Sequence, residues 1–414
     1  MPIFQQCDCT SRIDPQMRTS MHAKRTEDRI SDAAPKDALL SPRWRDGKRY
    51  LWLLGACIPG LGLLSWFLVL TTGSHLFWWL GIFLAFGMVP LLDHVVGTDS
   101  NNPPESALKW LEQDSYYRAI NYIFIPGQYL ALILSCWLWA GGGWVVMATV
   151  DKWGLMLTAG ITGGVAINNA HNLGHRRSDE GKLLSKIALA QSCYGHFYIE
   201  HNRGHHARVA TPEDPASSKM GESVYHFIPR SVFGGLRSAL AMERRRLERL
   251  GHRPLALSND VINSWMFSVF LYVFLAVWFR PVVLPWLFGQ ALVGIILLET
   301  VNYLEHYGLA RQKISPTRYE RVTRKHSWNS NTIVSNVLLF HLQRHSDHHE
   351  NPQRGYQALR HSEEAPELPT GYAALIVLAL IPPLWRRVMD KRVLAHYGGD
   401  VSLASVKKRE REIS

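Results

Sequence analysis

The residues EHNRGHH, at positions 200–206, place three histidines within six residues. Two other histidine groups lie before and after this stretch: HNLGH at 171–175 and HSDHH at 345–349. Packing alone does not explain such density, because histidine is only an intermediate core residue. We therefore predict that folding brings the three groups together into one metal site.

Helical spacing supports this interpretation. His171 and His175 are four residues apart, so both imidazoles would lie on one helical face and reach one ion. His201 and His205 repeat the spacing, and His206 would be turned by about 100° and could serve a second ion. Together with His306 the groups supply nine imidazoles, enough for two ions with four or five ligands each. The predicted ligands are His171, His175, His201, His205, His206, His306, His345, His348 and His349.

Six apolar stretches of about twenty residues are long enough to cross a bilayer as helices. They are residues 50–70, 75–92, 120–140, 153–169, 261–279 and 282–302. The pattern predicts an all-α integral membrane protein with six transmembrane helices. We expect residues 1–45 to form a polar N-terminal tail without a cleaved signal peptide, residues 46–396 a single membrane domain, and residues 397–414 a charged C-terminal tail.

Six spans put both termini on one side. The loops on the other side are 71–74, 141–152 and 280–281, and they contain only Lys152 and Arg280 of the 45 Lys and Arg residues. The positive-inside rule makes the side of the termini cytoplasmic, which predicts a bacterial inner membrane protein with a cytoplasmic, histidine-rich cap for two metal ions. The net charge of +11 then favours contact with anionic lipid rather than nucleic acid.

The donor types narrow the choice of metal. The five cysteines include no Cys-x-x-Cys pair, which excludes a disulfide framework and a four-cysteine iron site. Nine imidazoles point to two redox ions rather than to structural zinc, which needs four ligands. Polar groups near the histidines are expected to orient them by hydrogen bonds. These are Glu200, Asp214, Glu305, Asp347 and His196.

Longer motifs carry a family resemblance. They are PLLD at 90–93, NNPP at 101–104, GHFYIEHNRGHH at 195–206, ATPEDP at 210–215, MGES at 220–223, NYLEHYG at 302–308, HSWNSN at 326–331 and LQRHSDHH at 342–349. Through them nearly all of residues 45–400 resembles the membrane-bound alkane 1-monooxygenases, whose histidine boxes and fold are shared with membrane fatty acid desaturases and hydroxylases.

The resemblance implies two non-haem iron ions held by the nine histidines. It also implies terminal hydroxylation of medium- or long-chain n-alkanes to 1-alkanols with O2, with electrons from rubredoxin and an NAD(P)H-dependent rubredoxin reductase. The chain departs from the family in its first box, where Asn172 stands in the place of a glutamate. Both flanking histidines remain, but a negative charge beside the site is lost.

Two further sets of residues follow from this interpretation. Apolar positions of the spans would form the substrate channel: Ile58, Leu61, Trp66, Trp78 and Leu297. Because the chain has no flavin or haem motif, electrons must come from a partner, and a small acidic carrier would be steered to basic residues. These are Arg203, Arg311, Lys313, Arg321, Arg324 and Lys325.

Two alternatives stay open. A related histidine-box oxygenase or desaturase would act on an aromatic methyl group or a fatty acyl chain, and pocket size decides between these substrates. A transition-metal transporter or sensor would use the histidines as a carrier site. That function predicts ligands deep in the spans or on both faces of the membrane, whereas the three histidine groups lie on one predicted face.

Overall fold

The computed structural model describes residues 44–407. Most of the predicted N-terminal tail and the last seven residues of the predicted C-terminal tail lie outside this range. Within it the chain is almost entirely helical. The helices are α1 (Trp52–Ala56), α2 (Leu61–Thr72), α3 (Leu80–Phe83), α4 (Val89–Val96), α5 (Glu105–Gln113), α6 (Ser115–Trp139), α7 (Thr149–Gly174), α8 (Asp179–Ala190), α9 (His196–Ile199), α10 (His206–Arg208), α11 (Val224–Arg249), α12 (Asp260–Phe279), α13 (Leu284–His306), α14 (Ile333–Leu338), α15 (His345–Glu350), α16 (Tyr372–Ala379) and α17 (Pro382–His396).

Shorter elements join these helices. Two π-helical turns, Leu84–Met88 and Glu200–His205, interrupt the regular helical hydrogen bonding. The two strands, β1 (Lys313–Ser315) and β2 (Arg318–Tyr319), form one antiparallel ribbon. The 3₁₀ turns are Ile58–Gly60, His75–Trp79, Pro281–Val283, Arg324–His326, Tyr356–Ala358 and Val401–Leu403.

Four helical segments of the described chain are long and apolar enough to cross a membrane. They are His75–Val96, Ser115–Trp139, Asp260–Phe279 and Pro281–His306. Each contains or overlaps one of the predicted spans. The first predicted span, 50–70, is broken near Pro59, and only the shorter segment Ile58–Thr72 is continuous and apolar. Gly73 ends that segment in a left-handed conformation (φ 70°), which glycine adopts without strain.

The fourth predicted span, 153–169, lies inside α7, and this helix differs from the four apolar segments. It carries Gly, Thr and Asn residues along its length, and most of them are buried against other helices. Its glycines allow close packing on α13, because a Cβ at Gly294 would stand 3.1 Å from the backbone nitrogen of Gly164. The approach places the C-terminal ends of α7 and α13 side by side.

Polar side chains hold the neighbouring helices onto α7. Asn169 donates a hydrogen bond to the carbonyl oxygen of Asn121 in α6 (3.1 Å), and Ser185 of α8 donates one to the carbonyl oxygen of Ala170 (2.7 Å). Buried donors are costly unless paired, so these bonds fix which faces of the helices meet. Helix α7 is therefore the centre of the bundle, and its end carries the first two predicted ligands.

A second apolar core lies beside the end of α13. Tyr303 and Tyr307 pack there against Trp385 of α17, and Phe227 of α11 contacts Tyr303. This core lies beside His306, the last residue of α13 and another predicted ligand.

Candidate metal centre

All nine predicted ligand histidines are brought together, in two adjacent groups. The five-histidine group contains His171, His175, His201, His206 and His348. The four-histidine group contains His205, His306, His345 and His349. In each group the potential ligand atoms lie within 4.8 Å of one another.

Four chain segments supply these side chains. His171 is in the last turn of α7 and His175 follows its end, while His306 is the last residue of α13. The EHNRGHH stretch supplies three histidines from the π-helical turn and α10, and α15 supplies the other three. The close packing of α7 on α13 therefore determines where the two groups meet.

The π-helical turn divides the EHNRGHH histidines in a way that α-helical spacing does not predict. His201 and His206, five residues apart, belong to one group, with their Nε2 atoms 3.0 Å apart. His205 belongs to the other group. A π turn hydrogen-bonds residues five apart, so it brings i and i+5 onto one face, where an α-helix aligns i and i+4.

The spacing of the ligand atoms fits metal binding. In the five-histidine group the Nε2 of His348 lies 2.9 Å from that of His171 and 3.1 Å from that of His206. In the four-histidine group the Nε2 of His345 lies 2.9 Å from that of His349 and 3.2 Å from that of His306. Nitrogens bound to one ion at about 2.1 Å lie about 3.0 Å apart when their bonds are at right angles. The buried Nε2 atoms of His175 and His205 have no hydrogen-bond partner within the described chain and are free to bind an ion.

The protonation of the histidines also suits metal binding. Burial, reinforced by the neighbouring imidazoles, lowers the pKa of His201, His206, His348 and His349 well below the usual value. Imidazole binds metals only in its neutral form. These four imidazoles are therefore neutral at neutral pH.

Known proteins match most of the chain. The family model for fatty acid desaturases matches residues 148–379. The alkane 1-monooxygenase of Acinetobacter baylyi is 41% identical over 398 residues, 95% of this chain and 96% of that protein. The one from Ectopseudomonas oleovorans is 43% identical over 372 residues, 90% of this chain and 92% of that protein.

The chain belongs to the alkane 1-monooxygenase family. A more distant relative is the xylene/toluene monooxygenase hydroxylase component of Pseudomonas putida, 28% identical over 57% of this chain and 63% of that protein. Family membership makes the protein a monooxygenase, and with the apolar helices it indicates an integral membrane enzyme. The histidine groups suit the metal use of such an enzyme.

One acidic residue, Asp214, contacts a predicted ligand of this alkane 1-monooxygenase homologue. Asp214 lies 2.9 Å from the Nδ1 of His205, on the side of the ring away from the other imidazoles, and it accepts a hydrogen bond from Ser217 (2.6 Å). Burial alone would raise the pKa of Asp214, but the His205 imidazole and the Ser217 hydroxyl hold it below its usual value. The aspartate is therefore charged and fixes the His205 ring.

Glu305 lies on the other side of the four-histidine group. The Tyr372 hydroxyl donates a hydrogen bond to one carboxylate oxygen (2.9 Å), and the other oxygen lies 3.2 Å from the Nε2 of His345. This contact is on the side of the ring where the Nε2 atoms converge. Glu305 thus places a carboxyl group at the centre of the group rather than behind a predicted ligand.

The other three residues expected to orient ligands make different contacts. Asp347 binds the Arg354 guanidinium (2.6 Å) and the Arg360 backbone nitrogen (3.0 Å). Glu200 pairs with Arg208 (2.7 Å), and burial raises the pKa of Glu200 to about 7. The His196 ring lies against Tyr194, and neither of its nitrogens has a partner within the described residues.

The predicted channel residues divide into two sets. Ile58, Leu61 and Leu297 line an apolar cavity of about 410 Å³. Trp66 donates instead to the carbonyl oxygen of Gly143 (2.9 Å), and Trp78 is fully buried in a separate core. The sequence interpretation did not single out Asn168 and Tyr372, which also line the cavity. Asn168 lies one helical turn before His171, and this position is the only feature of the sequence that could have identified it as a cavity residue.

The predicted docking residues also divide. Arg203 is held by Glu243 and Asp260, and Arg324 pairs with Glu350. Arg311 donates to the carbonyl oxygen of Glu320 (2.7 Å). The remaining three are exposed and form no ion pair within the described chain. They are Lys313, Arg321 and Lys325.

Proposed function

We propose that the protein hydroxylates the terminal methyl group of medium- or long-chain n-alkanes taken from the bilayer and releases 1-alkanols. The observation that carries this proposal is the apolar cavity of about 410 Å³. Its lining runs from Leu54 and Ile58, beside the membrane segment α2, to Asn168 and Tyr372. Asn168 is one turn from His171, and Tyr372 contacts Glu305, so an alkane in the cavity would end beside the metal centre.

The apolar walls of the cavity would select the alkane and position its terminal methyl group. An n-alkane has no polar atom, so its binding depends on buried apolar area. An apolar lining that ends beside the histidines would orient the chain with one methyl group toward them and keep water from the reacting carbon. Asn168 does not disturb this lining with a free donor, because its Nδ2 is bonded to the carbonyl oxygen of Leu339 (2.7 Å).

Two non-haem iron ions are the proposed cofactor. The five-histidine group would hold one ion, and the four-histidine group would hold the other with Asp214 fixing His205. Imidazole also suits zinc, copper and nickel, but zinc has no redox chemistry to serve a monooxygenase, and the family resemblance implies iron. When bound, the iron ions supply the activation of O2 and the oxidation of the alkane.

Electrons are proposed to come from rubredoxin, which an NAD(P)H-dependent reductase reduces. The sequence has no flavin or haem motif, so an external carrier is needed. The exposed Lys313, Arg321 and Lys325 lie on the β1–β2 ribbon and the loop after it, a surface where an acidic carrier would be steered by charge.

The proposed arrangement in the membrane has six spans and cytoplasmic termini in a bacterial inner membrane. Residues 46–396 would form one domain, with the tails 1–45 and 397–414 on its cytoplasmic side. The four apolar helical segments support this topology, and the buried α7 and the shorter α2 segment would complete it. The metal centre would then face the cytoplasm, where reduced carriers are available.

The test is a reconstitution. Protein in lipid nanodiscs should contain about two iron ions. With rubredoxin, reductase and NADH it should convert octane or hexadecane into the 1-alcohol, with less turnover of xylene or fatty acyl chains. His205→Ala should abolish turnover, whereas His226→Ala should not, because His226 is exposed and contacts only Ser223. Iron without alcohol from any alkane would refute the substrate assignment, and metal movement across the membrane would favour the transporter.

A further inference from the structure

A second cavity reaches the five-histidine group, and its lining differs in kind from that of the alkane cavity. It has a volume of about 110 Å³ and is lined by Asn121, Asn172, His175, His348 and Gln357, among others. The two cavities share no lining residue. One metal group thus borders a polar space that is separate from the apolar one.

Several polar atoms of this space have no partner within the described chain. They include both Nδ2 and Oδ1 of the fully buried Asn121, Nδ2 of Asn172, Oε1 of Gln357 and Nε of Arg176. An unpaired buried polar atom costs about 1–3 kcal/mol, so a cluster of them needs a common partner. The atoms comprise both donors and acceptors, and water is the partner that satisfies both. A cavity of this size holds several water molecules, since each of them needs only about 10–15 Å³ of its volume.

The polar cavity continues to the protein surface. An open cleft of about 740 Å³ is lined by the exposed Arg118, Arg177 and Ser178. It shares His175, Arg176 and Gln353 with the inner cavity. The exposed Gln353 therefore lies at the junction of the cleft and the inner cavity.

We propose that the cleft and the inner cavity form a water-filled channel that delivers protons from the aqueous phase to the metal centre and lets product water leave. The proposal rests on the hydroxylase function proposed above. That reaction is RH + O2 + 2 e⁻ + 2 H⁺ → ROH + H2O, with both electrons from the carrier. One oxygen atom enters the C–H bond as the hydroxyl group, and the other leaves as water. The apolar cavity offers no hydrogen-bonded path for these protons, whereas the cleft and the inner cavity both reach His175 and the inner cavity also reaches His348.

Thiol labelling tests the channel without turnover. In metal-loaded protein, Asn121→Cys should react with a negatively charged methanethiosulfonate reagent at least about tenfold faster than Gln128→Cys, measured by mass spectrometry. Gln128 is a matched control, because it is a buried polar residue of the same helix that bonds the carbonyl oxygen of Ala188 and lines neither polar space. The native Cys136, buried in an apolar core, should stay unmodified in both. Gln357→Cys, on another wall of the cavity, should label like Asn121→Cys.

Equal, slow labelling of Asn121→Cys, Gln357→Cys and Gln128→Cys in folded protein would overturn the proposal. Failure of the wild type to form alcohol would instead count against the hydroxylase function. The two results are distinguishable, because labelling requires no substrate.

A narrowing variant tests the role in proton delivery. Gln353→Trp should slow the labelling of Asn121→Cys about tenfold. It should also lower alcohol formation about tenfold and enlarge its solvent deuterium isotope effect, because proton arrival becomes limiting. Gln113→Trp makes the same change on the exposed end of α5, outside both polar spaces, and should alter neither value. Slowed labelling with unchanged turnover and isotope effect would exclude this route for protons.

Discussion

The five-histidine and four-histidine groups hold similar imidazoles in different surroundings. In the four-histidine group, Asp214 contacts His205 and Glu305 contacts His345. In the five-histidine group, no carboxylate of the described chain pairs with an imidazole, and the buried Nδ1 atoms of His171 and His206 have no partner there. The groups therefore offer different charges to a metal. A dication in the four-histidine group would have a charged aspartate and a second carboxyl group nearby, whereas one in the five-histidine group would have neither.

Loss of a ligand from either group has the largest expected effect. His348→Ala removes an imidazole whose Nε2 lies about 3 Å from the Nε2 atoms of two others in the five-histidine group. His349→Ala removes an imidazole whose Nε2 lies 2.9 Å from that of His345 in the four-histidine group. Each should remove about one of two ions and lower alkane turnover by more than about 100-fold. Metal analysis of each purified variant measures this. Retention of both ions in either variant would show that the two groups do not each hold one.

The next effect concerns the acid behind a ligand, which only the four-histidine group has. Asp214→Asn keeps the shape but removes the charge that holds the His205 ring. We expect metal affinity or activity to fall about 10–100-fold, with the loss confined to one ion. Competition with a chelator measures the affinity. Glu213→Gln is the control, since Glu213 is exposed and contacts only Tyr319 at 3.4 Å. Equal losses in both variants would refute a specific role for Asp214.

The sequence predicts which histidines come together, but it does not predict how they divide into two groups, because that division depends on local backbone geometry. The nine histidines and their convergence follow from spacing and from the predicted topology, and the structure brings all nine together. Their division into groups does not follow, because it depends on the π turn at Glu200–His205. No residue type in that stretch predicts a π turn, and α-helical spacing would pair His201 with His205 instead of His206.

The contacts of individual side chains could not be predicted from the sequence either. Asp347 stands between ligand histidines, yet it binds Arg354 seven residues later. Trp66 and Trp78 belong to apolar helices, but hydropathy does not distinguish a face on a cavity from a face on another helix. Residues 153–169 are predicted to be one span among six, but hydropathy does not predict that α7 is also the buried centre of the bundle, where its small residues allow close packing.

The acid stability of the metal-free protein should report the buried histidines of both groups, because burial also lowers the pKa of His345 and His349. Burial lowers the pKa of His175, His201, His206 and His348 in the folded protein, while in the unfolded chain each stays near about 6.5. Below that pH the unfolded state binds more protons, so the metal-free protein should lose stability as pH falls, by up to about 1.4 kcal/mol per pH unit for each histidine.

Denaturation of chelator-treated protein between pH 7.5 and 5.5 measures this slope. His201→Gln should flatten it, because one proton fewer is taken up on unfolding. His226→Gln should not, because His226 is exposed in the folded protein. A stability independent of pH in this range would show that the histidine groups are protonated or solvated when empty.

Supplying the missing charge should have the smallest effect. Asn172 is half-buried beside His171, its Nδ2 has no partner, and the Nε of Arg176 in the same cavity is also unpaired. Asn172→Glu would therefore place a carboxylate near the five-histidine group, as Asp214 does for the other. A unit charge about 8 Å away changes the energy of an added charge by about 2 kcal/mol at an effective dielectric constant of 20, and by less where water screens it. The negative charge stabilises the oxidised ion, so its reduction potential should fall by tens of millivolts, and turnover should change by less than about tenfold.

Redox titration followed by Mössbauer spectroscopy would resolve the two ions, and Asn172→Gln, which adds length without charge, should leave both potentials unchanged. A rise in potential, or an equal shift in Asn172→Gln, would mean that the two groups differ for reasons other than their compensating charge.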